Sequence, residues 1–200
     1  MDLSGIILQI TDWLNENVCP EVTLKVPAVD KDPNDDTYEY QAVHPTAFPL
    51  FIPTRDKLPP NVKSNIPSIC VQFIHGTDTS LAHEREVTVA LGFGTWSPGC
   101  HKEDWINASD PIAFRADMSG WMDAWNMVDI AARKIQSTNY LGENLEVMLN
   151  EPFDYGPYRQ PKENLDDEWQ DSFYPFWFAY LQFKVRCTLL RNNPEFQKYL

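Results

Sequence analysis

Basic residues are scarce in this chain: 16 Lys and Arg stand against 29 Asp and Glu, a formal net charge of -13. Proteins that hold nucleic-acid phosphates cluster Lys and Arg, so direct phosphate binding is disfavoured. An anionic membrane surface is disfavoured for the same reason. The acidity favours solubility, or a surface that must not hold DNA. No apolar run approaches the roughly 20 residues of a membrane span. The start, Met1-Asp-Leu-Ser-Gly, lacks the basic stretch of a secretion signal. Cysteine is sparse as well. Cys19, Cys70, Cys100 and Cys187 lie far apart with no CxxC among them. That spacing predicts four free thiols in a reducing compartment, and a cytoplasmic protein.

Catalytic motifs are missing too. There is no GxSxG elbow, no Walker loop and no GxGxxG. Gly92-Phe-Gly94 ends a predicted strand without opening a helix, which reads as a strand-end bulge rather than a phosphate cradle. The four histidines, His44, His75, His83 and His101, form no HExxH pair. His75 and His83 could face each other across a hairpin turn, but a metal there needs two more ligands. Cys100-His101 could supply a nucleophile and base only in an unusual fold, since adjacent side chains of an extended loop point apart. Two acidic clusters, Asp30 to Asp36 and Asp166 to Asp171, lack the ligand order of an EF-hand loop and read as solvated charge. We expect no catalytic, metal or cofactor residue.

Hydrophobic periodicity carries most of the information. The segment Phe176 to Leu190 alternates with period two, which predicts one long strand. Trp177, Ala179, Leu181, Phe183, Val185, Cys187 and Leu189 form its apolar face. Leu3, Ile6, Ile7, Ile10, Trp13 and Leu14 recur at helical spacing, with Asp2 or Ser4 as cap and Cys19-Pro20 as the stop. Val22 to Val26 and Thr37 to Val43 read as two short pairing strands. Residues 44 to 67 hold six prolines and read as a long ordered loop with apolar anchors Phe48, Leu50, Phe51 and Ile52. Ser68 to Ile74 and Glu84 to Phe93 form a hairpin around a polar turn. Residues 94–117 read as a loop insertion.

A second helix is predicted from Met118 to Ser137. Its stripe is Met118, Trp121, Met122, Trp125, Val128, Ala132 and Ile135, and its cap is Asp117 or Ser119. Leu145, Val147 and Leu149 give a strand, and Pro152 to Gln170 a connection. Trp125 and Leu181 are expected in the core on facing elements. The whole chain, residues 1–200, reads as one α+β domain: a mostly antiparallel central sheet packed by two helices, with long Pro-rich and aromatic loops. Seven Trp, eight Tyr and eleven Phe are many for this length. Loop aromatics either pack on their own domain or anchor a partner. Trp96, Trp105, Phe48, Phe51, Tyr155 and Tyr158 are therefore the candidate interface residues.

The layout resembles a family. A short amphipathic helix precedes a Pro-rich stretch, the strand Ile66-Pro-Ser-Ile-Cys-Val-Gln-Phe and the alternating strand Glu86-Val-Thr-Val-Ala-Leu-Gly-Phe. A helix carrying Asp129-Ile-Ala-Ala-Arg-Lys-Ile follows, then Leu145-Glu-Val-Met-Leu, a proline-containing loop and a terminal aromatic strand, Trp177 to Cys187. This order resembles the tail terminator (tail-completion, neck-associated) proteins of tailed bacteriophages and phage-tail-like particles. The resemblance implies a structural virion component, assembled in the host cytoplasm. It implies a hexameric homo-oligomeric ring that caps the tail tube and presents a surface for the head–tail connector or neck proteins, with a sheath protein as neighbour if the tail contracts. It implies no catalytic residue and no cofactor. The acidic balance suits a lumen through which DNA slides without specific binding. Two alternatives stand beside it: another tail or neck part, such as a tube or head-completion protein, and a small metal-dependent hydrolase using His75, His83 or Cys100.

Overall fold

The first apolar stripe folds into helix α1, Leu3–Asn17, and buries Ile6, Ile7, Ile10 and Leu14. Asp2 is its cap: the side-chain oxygen accepts the Gly5 N–H at 2.7 Å, satisfying an end donor the helix cannot pair internally. Thr11 takes the inward position expected for Trp13, which stays half-buried. The Thr11 hydroxyl resolves its own burial by donating to the Ile7 carbonyl at 2.7 Å. Pro20 ends the helix in a short 3₁₀ turn, Cys19–Glu21. The computed structural model describes residues 1–27, 41–79, 83–101, 114–116, 118–157 and 173–188.

Two-residue strands β1 (Leu24–Lys25) and β2 (Ala42–Val43) pair antiparallel, which is the expected first hairpin in shortened form. The proline-rich stretch is not loop throughout. Strand β3, Thr46–Pro49, runs parallel to β4, Ser68–Thr79, from Thr46 beside Ser68 to Pro49 beside Val71. Proline is tolerated here because β3 is an edge strand, with no ladder partner on its outer side among the described residues. Asn15 of α1 fixes this edge: its side chain accepts the Ala47 N–H at 2.8 Å and donates to the Ala47 carbonyl at 3.1 Å.

The central hairpin is longer than its hydrophobic pattern indicated. β4 runs to Thr79 through the stretch expected as turn, and β5 spans Glu84–Trp96. Polar Thr77, Asp78 and Thr79 stay in the ladder because each faces a β5 partner, Glu86, Arg85 and Glu84. The irregularity in this pair falls between Phe73 and His75. Gly92 and Gly94 sit in regular register, opposite Cys70 and Ser68, so the expected bulge at that glycine pair is corrected. The expected insertion starts later than read: β5 carries on through Trp96, and β6 (Gly99–His101) pairs with β7 (Phe114–Ala116).

Strand β10, Phe176–Thr188, is the long strand the alternation predicts. It pairs with β5 over its full length, and β8 (Leu145–Val147) and β9 (Asp154–Pro157) share its other edge. β9 arises inside the expected connection. The main sheet is therefore ordered β3-β4-β5-β10-β8, with β9 beside β8 on β10. All its pairings are antiparallel except β3 with β4. Its register stacks apolar rows: Val71, Leu91 and Leu181 lie across three strands, and so do Ile69, Phe93 and Ala179. These rows are the floor of the core. Helix α1 packs over β3 and β4, and helix α2, Trp121–Gln136, over β10 and β5.

Helix α2 corrects two expectations. A 3₁₀ turn, Met118–Gly120, precedes it, and its first cap position is Gly120 with no side-chain cap. Glycine is required there by space: a Cβ would lie 2.2 Å from Trp177 Nε1 and 2.7 Å from Ser97 Cβ. Its buried stripe is Ala124, Met127, Val128, Ala131 and Ile135. The alanines let the helix axis approach the sheet, which rotates Trp121 and Met122 into solvent and leaves Trp125 at the rim. Two helices on one face of a mostly antiparallel sheet make this an α+β fold.

Candidate assembly surface

Exposed apolar side chains gather on opposite margins of the main sheet. At the β3 margin, Leu50 and Phe51 follow the edge strand, and Phe51 is 68% exposed. Leu50 holds a left-handed backbone, φ 66°, a conformation that disfavours residues with a Cβ. Its N–H donates to the Val71 carbonyl at 2.8 Å and prolongs the β3–β4 pairing by one residue. With Leu3 and Leu8 of α1 and Phe73 of β4 they line a cleft of about 350 Å³. No charged side chain lines it.

Beyond Val71 the outer side of β4 has no ladder partner among the described residues. Its side chains there are almost all exposed. A free strand edge next to an apolar cleft is a template for pairing with another chain.

The far margin is formed by β8 and β9. Tyr155 of β9 is 57% exposed and meets Trp125 edge-on, with ring centroids 6.4 Å apart. Leu149 and Tyr140 are exposed nearby in sequence. Tyr155 also borders a groove of about 710 Å³ beside α2. Asp123 lies in that groove. Burial raises its pKa, and the nearby Lys25 partly opposes the rise.

The six candidate interface residues divide. Phe51 and Tyr155 are on the surface, on these two margins. Phe48 and Trp96 are 5% and 6% exposed and belong to the chain's own interior. Trp96 closes β5 opposite Phe176, so its expected loop placement is corrected. The alternation of Val87, Val89, Leu91 and Phe93 puts Trp96 on the opposite face of β5, so the period gave no signal of its burial. Trp105 and Tyr158 lie outside the described residues, as do the acidic clusters 30–36 and 166–171. Leu50 reads as a loop anchor and Leu8 stands outside the α1 stripe, so the sequence marks neither as an interface residue; Phe73 continues the Ile69 and Val71 alternation that reads as core, yet it is exposed.

Groups with reactive chemistry are dispersed. His75 lies opposite Thr88, and His83 sits in the turn before β5 with φ 55°. The ladder does not bring the two imidazoles face to face. Among the described residues, no three His, Cys, Asp or Glu side chains group as a metal site. Cys19, Cys70 and Cys187 are buried free thiols. Burial pushes Cys19 up to about 12 and raises the other two, so all three stay protonated near neutral pH and lack thiolate reactivity. Cys100 and His101 lie in β6. The strong charge pairs are surface clamps. Arg85 grips Asp78 through two bonds of 2.7 Å, and Lys184 meets Glu151 at 2.9 Å. The Arg85 guanidinium holds the Asp78 carboxyl below its usual range. No helix among the described residues is long and apolar enough to cross a membrane. No family model matches this chain, and no curated protein matches it.

Proposed function

We propose that this chain is a structural subunit that closes into a ring, in the manner of a phage tail terminator, and performs no bond-breaking chemistry. The observation that carries the reading is the placement of exposed apolar groups on two opposite sheet margins, Phe51 and Leu50 on one and Tyr155 on the other. Two different patches on opposite sides favour a head-to-tail contact between copies, and such contacts close into rings when the rotation permits. A two-fold dimer needs only one self-complementary patch and leaves the second unexplained. The net charge of -13 opposes close approach of like copies, so apolar and strand-edge contacts must supply the attraction, with salt screening the repulsion. The same charge suits an opening that DNA traverses without sticking. In this reading the ring sits at the end of a tail tube, beside connector or neck proteins, and next to a sheath where the tail contracts.

Native mass and negative-stain imaging of the purified chain, alone and with tail tubes, test the reading. Rings, or chain bound at one end of each tube, are the expected result. Filaments of the chain point instead to a tube protein. Protein that remains monomeric and ignores tubes overturns the proposal. Phe51→Asp and Tyr155→Asp should each weaken ring formation without unfolding the chain, since both side chains are mostly in solvent.

A further inference from the structure

We propose that Tyr155 of one copy seats in the apolar cleft at the β3 margin of the next copy, with charges of opposite sign on the two margins fixing the direction of the contact. This rests on the ring reading above and names the groups that meet.

The two margins lie at one height on the sheet. Tyr155 stands opposite Leu181, Leu181 opposite Leu91, Leu91 opposite Val71, and Val71 opposite Pro49. One ladder row therefore crosses five strands, from Tyr155 at the β9 edge to Pro49 at the β3 edge. Leu50 and Phe51 follow Pro49 directly, and the Leu50 N–H donates to the Val71 carbonyl of that same row. The two ends also share a face. Tyr155 meets Trp125 of α2, and Leu3 and Leu8 of α1 wall the cleft, so both lie on the side of the sheet that carries the helices. Rotation between ring neighbours about an axis along the strands preserves the height and keeps the helices on the same side of the ring wall. It brings the Tyr155 end of one row against the Leu50 end of the next.

The chemistry of the two ends is complementary. The cleft of about 350 Å³ is lined by apolar side chains and Ser4. Tyr155 is 57% exposed, and tyrosine offers a large apolar ring with a hydroxyl that needs a partner once buried. Ser4 supplies that partner. Charge is unevenly spread over the chain. Residues 52–63 carry Arg55, Lys57 and Lys63 against Asp56, all exposed. Residues 140–157 carry Glu143, Glu146, Glu151 and Asp154 and no Lys or Arg. Lys184 engages Glu151. None of the ion pairs among the described residues takes up Arg55, Lys57, Lys63, Glu143, Glu146 or Asp154. A basic flank beside the cleft and an acidic flank beside Tyr155 attract when unlike margins meet and repel when like margins meet.

The test assembles equal parts of isotope-labelled and unlabelled native chain, alone or on tail tubes, and treats them with a zero-length amine-to-carboxylate cross-linker. Mixed-isotope peptides joining Lys57 or Lys63 to Glu143, Glu146 or Asp154 are expected, and Tyr155→Ala should reduce their yield severalfold. Lys57→Glu with Lys63→Glu should lower the assembled fraction severalfold at low salt. Adding Glu143→Lys, Glu146→Lys and Asp154→Lys to that chain should restore it, because every copy then carries the pair reversed. Rings that form without these links, or a reversed chain that does not recover, overturn the proposal and leave the ring reading standing. Links between copies in open filaments, with no ring, leave this contact standing and remove the ring reading. A chain that never associates overturns both.

Discussion

Leu181→Ala tests the core most directly. Leu181 is fully buried. It lies opposite Leu91 of β5 on one side and Tyr155 of β9 on the other, on the strand that carries α2. Truncation removes three carbons and leaves a void that both flanking ladders hold open. Leu→Ala changes in such sites cost about 2–5 kcal/mol, more where the walls cannot collapse. A loss of about 3–4 kcal/mol follows here. A chain of this size shifts by roughly 2–4 °C per kcal/mol, so Tm should fall by about 10 °C. Urea unfolding gives the same loss at unchanged slope if the native and denatured states keep their compactness. Leu149→Ala is the control, because Leu149 is exposed and should change stability by no more than ~0.5 kcal/mol. Equal effects of the two substitutions, or a loss under about 1 kcal/mol for Leu181→Ala, would refute the assignment of the buried face.

Trp125→Ala should lose only about 2 kcal/mol in the same assay, since Trp125 sits at the rim against Tyr155. Asp2→Ala removes the α1 cap and should cost about 1 kcal/mol by urea unfolding. Trp177→Phe deletes the 3.0 Å bond from its indole N–H to the Ser97 carbonyl; a loss of about 1–3 kcal/mol is expected for the stranded acceptor. Asp123→Asn tests a pH effect. Burial raises the folded pKa of Asp123 above that of an ordinary aspartate. Protonated Asp123 therefore favours folding, and that contribution is lost as pH rises through the folded value. The variant should gain stability relative to the native chain between acid and neutral pH, and a constant difference across that range would contradict the burial of this carboxyl.

The elements with strong periodicity were legible without coordinates. The alternation from Trp177 to Cys187 defines β10 and its inner face, and the spacing of Ile6, Ile7, Ile10 and Leu14 defines α1. Both signals depend only on local geometry, which fixes a period of two or 3.6 wherever the chain lies. The α+β class follows from the order of these elements. Charge, too, is a property of composition alone.

Tertiary structure decided everything that depends on who stands opposite whom. β3 and β9 are short and contain proline, so only their neighbours β4 and β10 make them strands. The polar end of β4 stays extended because β5 supplies Arg85 opposite Asp78. The phase of α2 shifted because close approach to the sheet selected Ala124 and Ala131 over Trp121 and Met122. The candidate surface shows the same division. Phe48 and Phe51 are three residues apart in one proline-rich stretch, and nothing in their chemistry separates them. The β3–β4 ladder ends between them, which buries one and leaves the other in solvent. A hydrophobic side chain is driven out of water by any apolar surface; whether its own chain supplies that surface is settled only by the long-range pairing of strands.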